Sequence, residues 1–504
     1  MNKTIFRRIF SSALSLVLLC CCFSGCTKTI VTTSSVLEGT DENEAVIGWD
    51  DNESGTQSGS DILNSASVGS SGGNSGGNSG GNSAGNSGGN STVTTNPPEA
   101  DFDVYANIPK NVKQIKVLLW YTPDDTEMKV INNFEKKFGI KVKLICTDNA
   151  GYLTKLTSLV ASNDAPDVAA IYNYPTPILR GLFDTVDVAT SDKGGAFNFD
   201  KDPAYDTYGM NLCAKWGDKL YGVALRGSWH SDRPVLIYNK TMFKNRGIEN
   251  DPTKLWKNGN WNWDTFKELC EKMTYKNNGI QVYGLLGPDS DLYQILTASA
   301  GKTIVTIDPA KKTIVNNTQD STFVKSMEFI TGLRSSGWVT PRGSTWEIFK
   351  KGQAAMFLTR ASQVKVSKEL TDMNDAWTSV PVPCPKGQKT IIPYSTTAFG
   401  IPSGAKNGIA GSYFIRWLLD SNNWDIRSTF PSDETYNTWV AQQDLSYENC
   451  QFDTSGILNV SSGLDTKVVS VTCGSVNDVS TGLKSLSGSV DSAINTVIKA
   501  LSAK

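Results

Sequence analysis

The chain has 504 residues, 39% of them hydrophobic, 19% charged and 10% aromatic, with 48 Lys+Arg against 50 Asp+Glu. This is enough apolar material for two or three cores, and the near-neutral, evenly spread charge offers no basic field to grip phosphates, so nucleic acid is not an expected partner. A single histidine, His230, and the lack of any Cys-x-x-Cys pair argue against the common zinc sites and against metal hydrolysis, so neither a metal nor a cofactor is expected.

At the N-terminus, Lys3, Arg7 and Arg8 precede an apolar run over residues 9–23, short for a membrane span and arranged like an export signal. The run ends in Phe23-Ser24-Gly25-Cys26, which resembles a bacterial lipobox, with Phe23 where Leu is more usual. This resemblance implies diacylation of Cys26, with residues 1–26 forming the lipoprotein signal. The alternatives are a plain secretory signal or a short retained anchor.

Residues 27–107 are rich in Ser, Gly, Asn, Thr and acidic side chains, with SGGN-type tetrapeptides repeated from Ser71 to Asn90. Such composition cannot bury enough apolar surface to fold, so a disordered tether is expected, reaching roughly 50 Å as a flexible coil. Without the three positive charges of residues 1–25, 45 Lys+Arg face 50 Asp+Glu. Six cysteines follow Cys26, at 146, 213, 270, 384, 450 and 473, and their pairing is not readable from spacing. Cys270 shares a helical face with Trp263, Phe266, Leu269 and Met273, so a buried thiol is expected there.

Beyond the tether, strand and helix patterns alternate. Residues 114–120 read as a buried strand, 127–138 as a helix with Met128, Ile131, Phe134 and Phe138 on one side, and 140–145 as a strand. A helix over 152–161 and a strand over 167–172 follow. Repeated β-α-β units predict an α/β fold with doubly wound sheets, whose ligands sit beyond the carboxyl ends of the strands. Those ends are residues 121–125 and 172–174.

Further along come Tyr238-Asn239-Lys240 ending a strand, Trp263-Asp264 at a helix start, Phe349-x-x-Gly352-x-Ala354-Ala355-Met356, and Gly400-Ile401-Pro402 before a helix carrying Tyr413, Phe414, Trp417 and Leu418. With the aromatic end of the first strand and Pro166-Asp167, this ordered set resembles the sugar- and oligosaccharide-binding family of extracellular solute-binding proteins of ABC importers, the maltose-binding-protein-like group, over residues 113–504. The resemblance implies a periplasmic-binding-protein-like fold of type II, two discontinuous lobes joined by a hinge. Crossings fall near 227–234, 393–398 and Cys450, with residues 112–228 and 396–450 in one lobe and 232–392 and 455–504 in the other. It also implies a non-enzymatic, extracytoplasmic, lipid-anchored monomer that captures a sugar and delivers it to ABC permease subunits at the bacterial cell membrane.

A sugar cleft needs aromatic faces for C–H groups and carboxylate, amide and Arg groups for hydroxyls. Carried over by position, the candidates are Trp120 and Asp124, then Tyr172, Asn173 and Tyr174, then Asp232 beside the hinge strand. Arg226 and Trp229 bracket the first crossing, and Asp289 and Tyr293 are expected in the loop after residues 282–286. Trp120 could instead be core, Asp232 could pair with Arg233, and Trp261 and Trp263 read better as helix-start packing. Where many relatives carry Gly-x-Trp after Ala-Met-Phe, this chain has Thr359-Arg360-Ala361-Ser362. Either Trp346, Trp377 or Trp439 replaces that platform, or Arg226 and Arg360 recognise charge, as on a uronate.

Three other functions compete with sugar import. One is a binder of a peptide, amino acid or polyamine; another is a sensor that presents its closed form to a membrane receptor kinase. A glycoside hydrolase using Asp232 and Asp289 is the third, though no motif places such a pair.

Overall fold

The computed structural model describes residues 100–502, apart from 229, 361–363, 365–369, 371, 426, 431, 444–447, 452, 460–462 and 473–477. Cys26, residues 27–99 and Trp229 therefore lie outside the described residues. Among the described residues no helix is long and apolar enough to cross a membrane.

The elements used below are, in chain order, β1 Gln114–Leu119, α1 Asp125–Phe138, β2 Lys141–Cys146, α2 Tyr152–Ala161, β3 Val168–Ala170, β4 Ser231–Asp232, β5 Val235–Asn239 and α3 Trp263–Lys272. After these come β6 Tyr275–Asn277, β7 Ile280–Leu286, α4 Asp289–Ser299, α5 Ser321–Ser335, β8 Ala354–Thr359, β9 Trp377–Pro381, β10 Ile391–Thr396 and β11 Phe399–Gly400. The chain closes with α6 Gly408–Leu419, α7 Asp433–Gln443, β12 Glu448–Gln451, α8 Ser455–Leu458, α9 Leu464–Thr472 and α10 Val479–Ser502.

The first sheet has the order β11-β3-β1-β2. β1 runs parallel to β2 and β3, with Leu118 opposite Ile145 and Ala169, while β11 returns antiparallel to β3. Val117, Leu118 and Leu119 are all buried, as in a strand covered on both faces, which explains why the second half of the strand, residues 117–120, is apolar without alternation. Asp124 starts α1 by accepting the Glu127 N–H at 2.8 Å. Gly139 ends it at φ 69°, donating to the Glu135 carbonyl, a conformation that favours glycine over residues with a Cβ. Asp167, expected only as part of a Pro-Asp strand start, is 1% exposed and accepts N–H bonds from Lys116 and Asn407, tying β1 to the start of α6.

The second sheet has the order β9-β5-β8-β7-β6. β8 is antiparallel to β5 and parallel to β7, so Met356 pairs with Tyr238 on one side and Leu285 on the other. Trp261 and Trp263 donate their indole N–H groups to the carbonyls of Pro381 and Pro383, and Asn262 and Thr265 form a reciprocal capping box. They pack the helix start, as the sequence indicates. Cys270, on the buried face of α3, is fully buried.

A third, three-stranded sheet has the order β12-β10-β4. It brings residues 231–232, 391–396 and 448–451 side by side, with Pro393 opposite Cys450 and Ser395 opposite Asp232.

Two placements differ from expectation. Residues 433–443, assigned by resemblance with the first sheet, pack on β9 of the second: Gln442 donates to the Ser379 carbonyl at 2.8 Å, and Thr435 donates to the Trp377 carbonyl at 3.4 Å. Carbonyls on the unpaired side of this edge strand accept these hydrogen bonds, partners that composition does not reveal. Tyr105, placed within the tether, docks on the folded region, with ring centroids 5.0 Å from Phe138 and 5.8 Å from Trp417. One aromatic ring buries enough apolar area to fix a short segment that is otherwise polar.

Candidate functional site

The carboxyl ends of β1 and β3 lie side by side because those strands pair, and each carries an aromatic residue one or two positions beyond its end. Trp120 and Tyr172 stack with centroids 4.8 Å apart and planes 6° apart. Tyr152 meets both rings edge-on and donates its hydroxyl to the Ala170 carbonyl at 2.6 Å. Both stacked rings are only half-buried, so the pair is neither core nor loose surface.

Behind Trp120, Tyr121 donates to Glu127 Oε1 at 2.7 Å, and Glu127 is only 4% exposed. Burial pushes the Glu127 carboxyl up to about 8. Burial, and then the Glu127 charge, hold the Tyr121 hydroxyl well above its usual value.

A pocket opens beside the crossing strands, lined by residues 171–174, Cys213, residues 395–397 and Asp453. Asn173 has φ 60°. Tyr174, expected as a ligand contact, is 6% exposed and donates its hydroxyl to the Lys215 carbonyl at 2.7 Å, so its polar end is already engaged. The strand-end loop is seated on α8: Thr176 donates to the Gly456 carbonyl at 2.6 Å, and a Cβ at Gly456 would stand 2.0 Å from the Tyr174 carbonyl oxygen. Cys213 is buried, and burial pushes its thiol up to about 12.

The charged side chains beyond β7 and β8 are paired among themselves. Arg360 donates through Nε to Asp291 at 2.7 Å and through Nη2 to Gln294 at 3.2 Å. Asp289 accepts from Arg334 and, at 2.8 Å, from Arg342. Asp289 and Tyr293, expected in a loop, belong to α4, which begins immediately after Pro288 with three acceptor or hydroxyl side chains in its first turn. Tyr293 is 1% exposed, and its hydroxyl donates to Asp465, which also accepts from Ser290 at 2.9 Å. It lies inside the helix packing, where the apolar ring is covered and the hydroxyl is satisfied. Arg360 and Asp453 nevertheless act on the cleft: their charges pull the Tyr172 hydroxyl in opposite directions, on top of burial, which raises it most.

Of the other candidates, Asp124 serves α1 as its cap, Arg226 is exposed in the turn before the first crossing, and the Asp232 backbone pairs in β4 while its side chain lies outside the described residues. Trp377 and Trp439 are buried, and Trp377 donates to the Leu370 carbonyl; Trp346 rests edge-on against Phe357 at 4.3 Å. Sequence reasoning missed Asp453 and residues 395–397. Residues 395–397 lie within one expected crossing and Asp453 just beyond another, which was the available signal. Among the described residues, no group of three or more His, Cys, Asp or Glu is placed to hold a metal ion.

Two α/β sheets joined through a shared three-stranded sheet, with a pocket beside it, have the architecture of type II periplasmic binding proteins. The sequence profile of the bacterial extracellular solute-binding protein family matches residues 121–421, and the chain belongs to that family. No curated protein matches. Among solved structures, the chain is similar to an ABC substrate-binding protein from Listeria monocytogenes in complex with cycloalternan, at 18% identity and TM-score 0.59, covering 77% of this chain and 100% of that one. It is also similar to an ABC-transporter-associated binding protein from B. animalis subsp. lactis in complex with beta-1,6-galactobiose, at 19% identity and TM-score 0.56, covering 77% and 99%. A Thermus thermophilus maltotriose-binding protein bound with maltotriose matches at 16% identity and TM-score 0.54, covering 75% and 100%. At these identities the likeness shows a common fold.

Proposed function

We propose that this chain is a lipid-anchored solute-binding protein that holds a sugar or oligosaccharide between two lobes and delivers it to an ABC permease. The observation that carries the reading is the Trp120–Tyr172 stack standing half-buried at paired strand ends beside a pocket rich in hydroxyl and amide groups. Aromatic faces match sugar C–H surfaces, while Asn173, Ser395, Thr396, Thr397 and Asp453 offer the hydrogen-bonding partners that hydroxyls need. The complexes of the structural neighbours with oligosaccharides support the same class.

In this reading the lobes are residues 112–228 with 396–450, and 232–392 with 455–504, except that residues 433–443 move with the second sheet they pack on. The strands β4, β10 and β12 act as the hinge. Closure around a ligand buries it and contracts the molecule. Acylated Cys26 and a polar tether hold the protein at the outer face of the membrane.

A thermal-shift screen over mono- and oligosaccharides tests the sugar reading, because a ligand that binds only the folded chain raises its Tm. Small-angle scattering with a hit at saturation tests closure through a smaller radius of gyration. No shift with any sugar overturns the substrate class, and a hit without contraction overturns the hinge.

A further inference from the structure

We infer that a non-covalent clamp, formed apart from the chain crossings, restrains the hinge; this rests on the two-lobe reading above. Two hydrogen bonds join residues that belong to opposite lobes in that reading. Thr176, in the loop after β3, donates to the Gly456 carbonyl at 2.6 Å, and the Gly217 N–H donates to the Pro309 carbonyl at 2.8 Å. The first contact directly follows the last crossing. The second joins two hairpins, residues 215–220 and 305–316, that take part in no crossing. Both contacts bring main chain against main chain: Gly217 has φ 68°, and a Cβ on Gly456 would meet the Tyr174 carbonyl oxygen at 2.0 Å.

Each lobe ties its two halves of the clamp together. In the first lobe the Tyr174 hydroxyl holds the Lys215 carbonyl at 2.7 Å, linking the loop that carries Thr176 to the hairpin that carries Gly217. In the second, Asn316 at the base of its hairpin donates to the Ser487 carbonyl at 3.0 Å and to Asp491 at 2.8 Å, both on α10. The same α10 packs on α8, which carries Gly456, and on Thr176–Leu179 of the first lobe. A rotation of one lobe against the other therefore strains both bonds at once, because neither end can yield alone. Tyr174 also lines the pocket, so the side chain that anchors the clamp in the first lobe stands where a solute is held.

The test measures interlobe distances in the full chain without added sugar by pulsed electron paramagnetic resonance. Nitroxides are attached through ketone-bearing side chains at two exposed positions, Asn133 on α1 and Lys325 on α5. Three variants weaken the clamp: Thr176→Val, Tyr174→Phe, and an Asn-Gly turn in place of residues 309–312, which joins the paired residues Asp308 and Thr313 directly. Each lost bond should raise the population of displaced interlobe distances by roughly two- to tenfold. Thr176→Ser keeps the hydroxyl donor and should match the parent. A parental distance distribution in all three variants at near-parental Tm overturns the inference, as does an equal displacement in Thr176→Ser. The hinge itself is judged separately by the scattering measurement with a bound sugar, so the clamp can fail while the hinge stands; a chain that does not contract loses both.

Discussion

The indole of Trp120 and the phenol ring of Tyr172 lie face to face, 4.8 Å apart and 6° from parallel, each held at the end of a different strand. Tyr152 meets both edge-on, and its own hydroxyl is fixed to the Ala170 carbonyl, so the stack is braced from behind by a fully buried ring.

Trp120→Ala and Tyr172→Ala should each weaken sugar binding, by roughly 0.5–1.5 kcal/mol beyond lost area. Because the rings touch, the double variant should lose less than the sum of the single losses. Titration of all three variants against the best sugar from the thermal-shift screen checks this. Strict additivity would mean that the two rings do not act as one platform.

Glu127 gives the folded chain a pH dependence. Its folded-state pKa, about 8, lies above the ordinary value near 4.5, so folding favours its protonated form. This contribution is complete below about pH 4.5 and is lost as pH rises towards 8, at up to about 1.4 kcal/mol per pH unit. Glu127→Gln keeps an acceptor for Tyr121 but cannot ionise. Denaturant unfolding at pH 5, 7 and 8.5 should show a flatter profile for the variant and its largest stability advantage over the parent at pH 8.5.

Arg416 is 5% exposed and donates to the buried Asp202 at 2.8 Å and to Asp420 at 2.7 Å. Asp202→Asn leaves the guanidinium with half its counter-charge in the interior and should cost about 3–5 kcal/mol. Adding Arg416→Met should recover part of that loss, since the uncompensated charge disappears. A double variant less stable than Asp202→Asn would show that the pair contributes more than mutual neutralisation. Urea unfolding of the two variants is the measurement.

Deleting residues 27–99 should leave sugar affinity and Tm unchanged, whereas Tyr105→Ala should lower Tm because Tyr105 fills a site between Phe138, Tyr413 and Trp417. Cys26→Ala should leave the membrane fraction, since the polar tether has no apolar stretch that could hold it there. Cell fractionation checks Cys26→Ala, and thermal unfolding and sugar titration of the purified proteins check the deletion and Tyr105→Ala.

The local signals in the sequence were sufficient wherever one short segment decides the outcome. The buried strand at residues 114–120, the apolar side of α1, the Trp263-Asp264 helix start and the ordered family motifs each depend on neighbours within a short segment, and the structure and the family match agree with them. Composition could not foresee one aromatic ring, Tyr105, within the segment read as a tether, docking on Phe138 and Trp417.

Tertiary structure decided what depends on which distant residues meet. Arg360 reads as a possible anion site in isolation, yet a hydrogen bond to Asp291 commits it. Tyr293 and Tyr174 read as cleft aromatics, yet their hydroxyls already serve Asp465 and the Lys215 carbonyl. Asp453 carries no motif at all, and it enters the pocket only because β12 pairs with β10 and brings the segment beyond it to the end of β3. A side chain's charge and shape are local properties, but whether its hydrogen-bonding capacity is spent is set by long-range pairing.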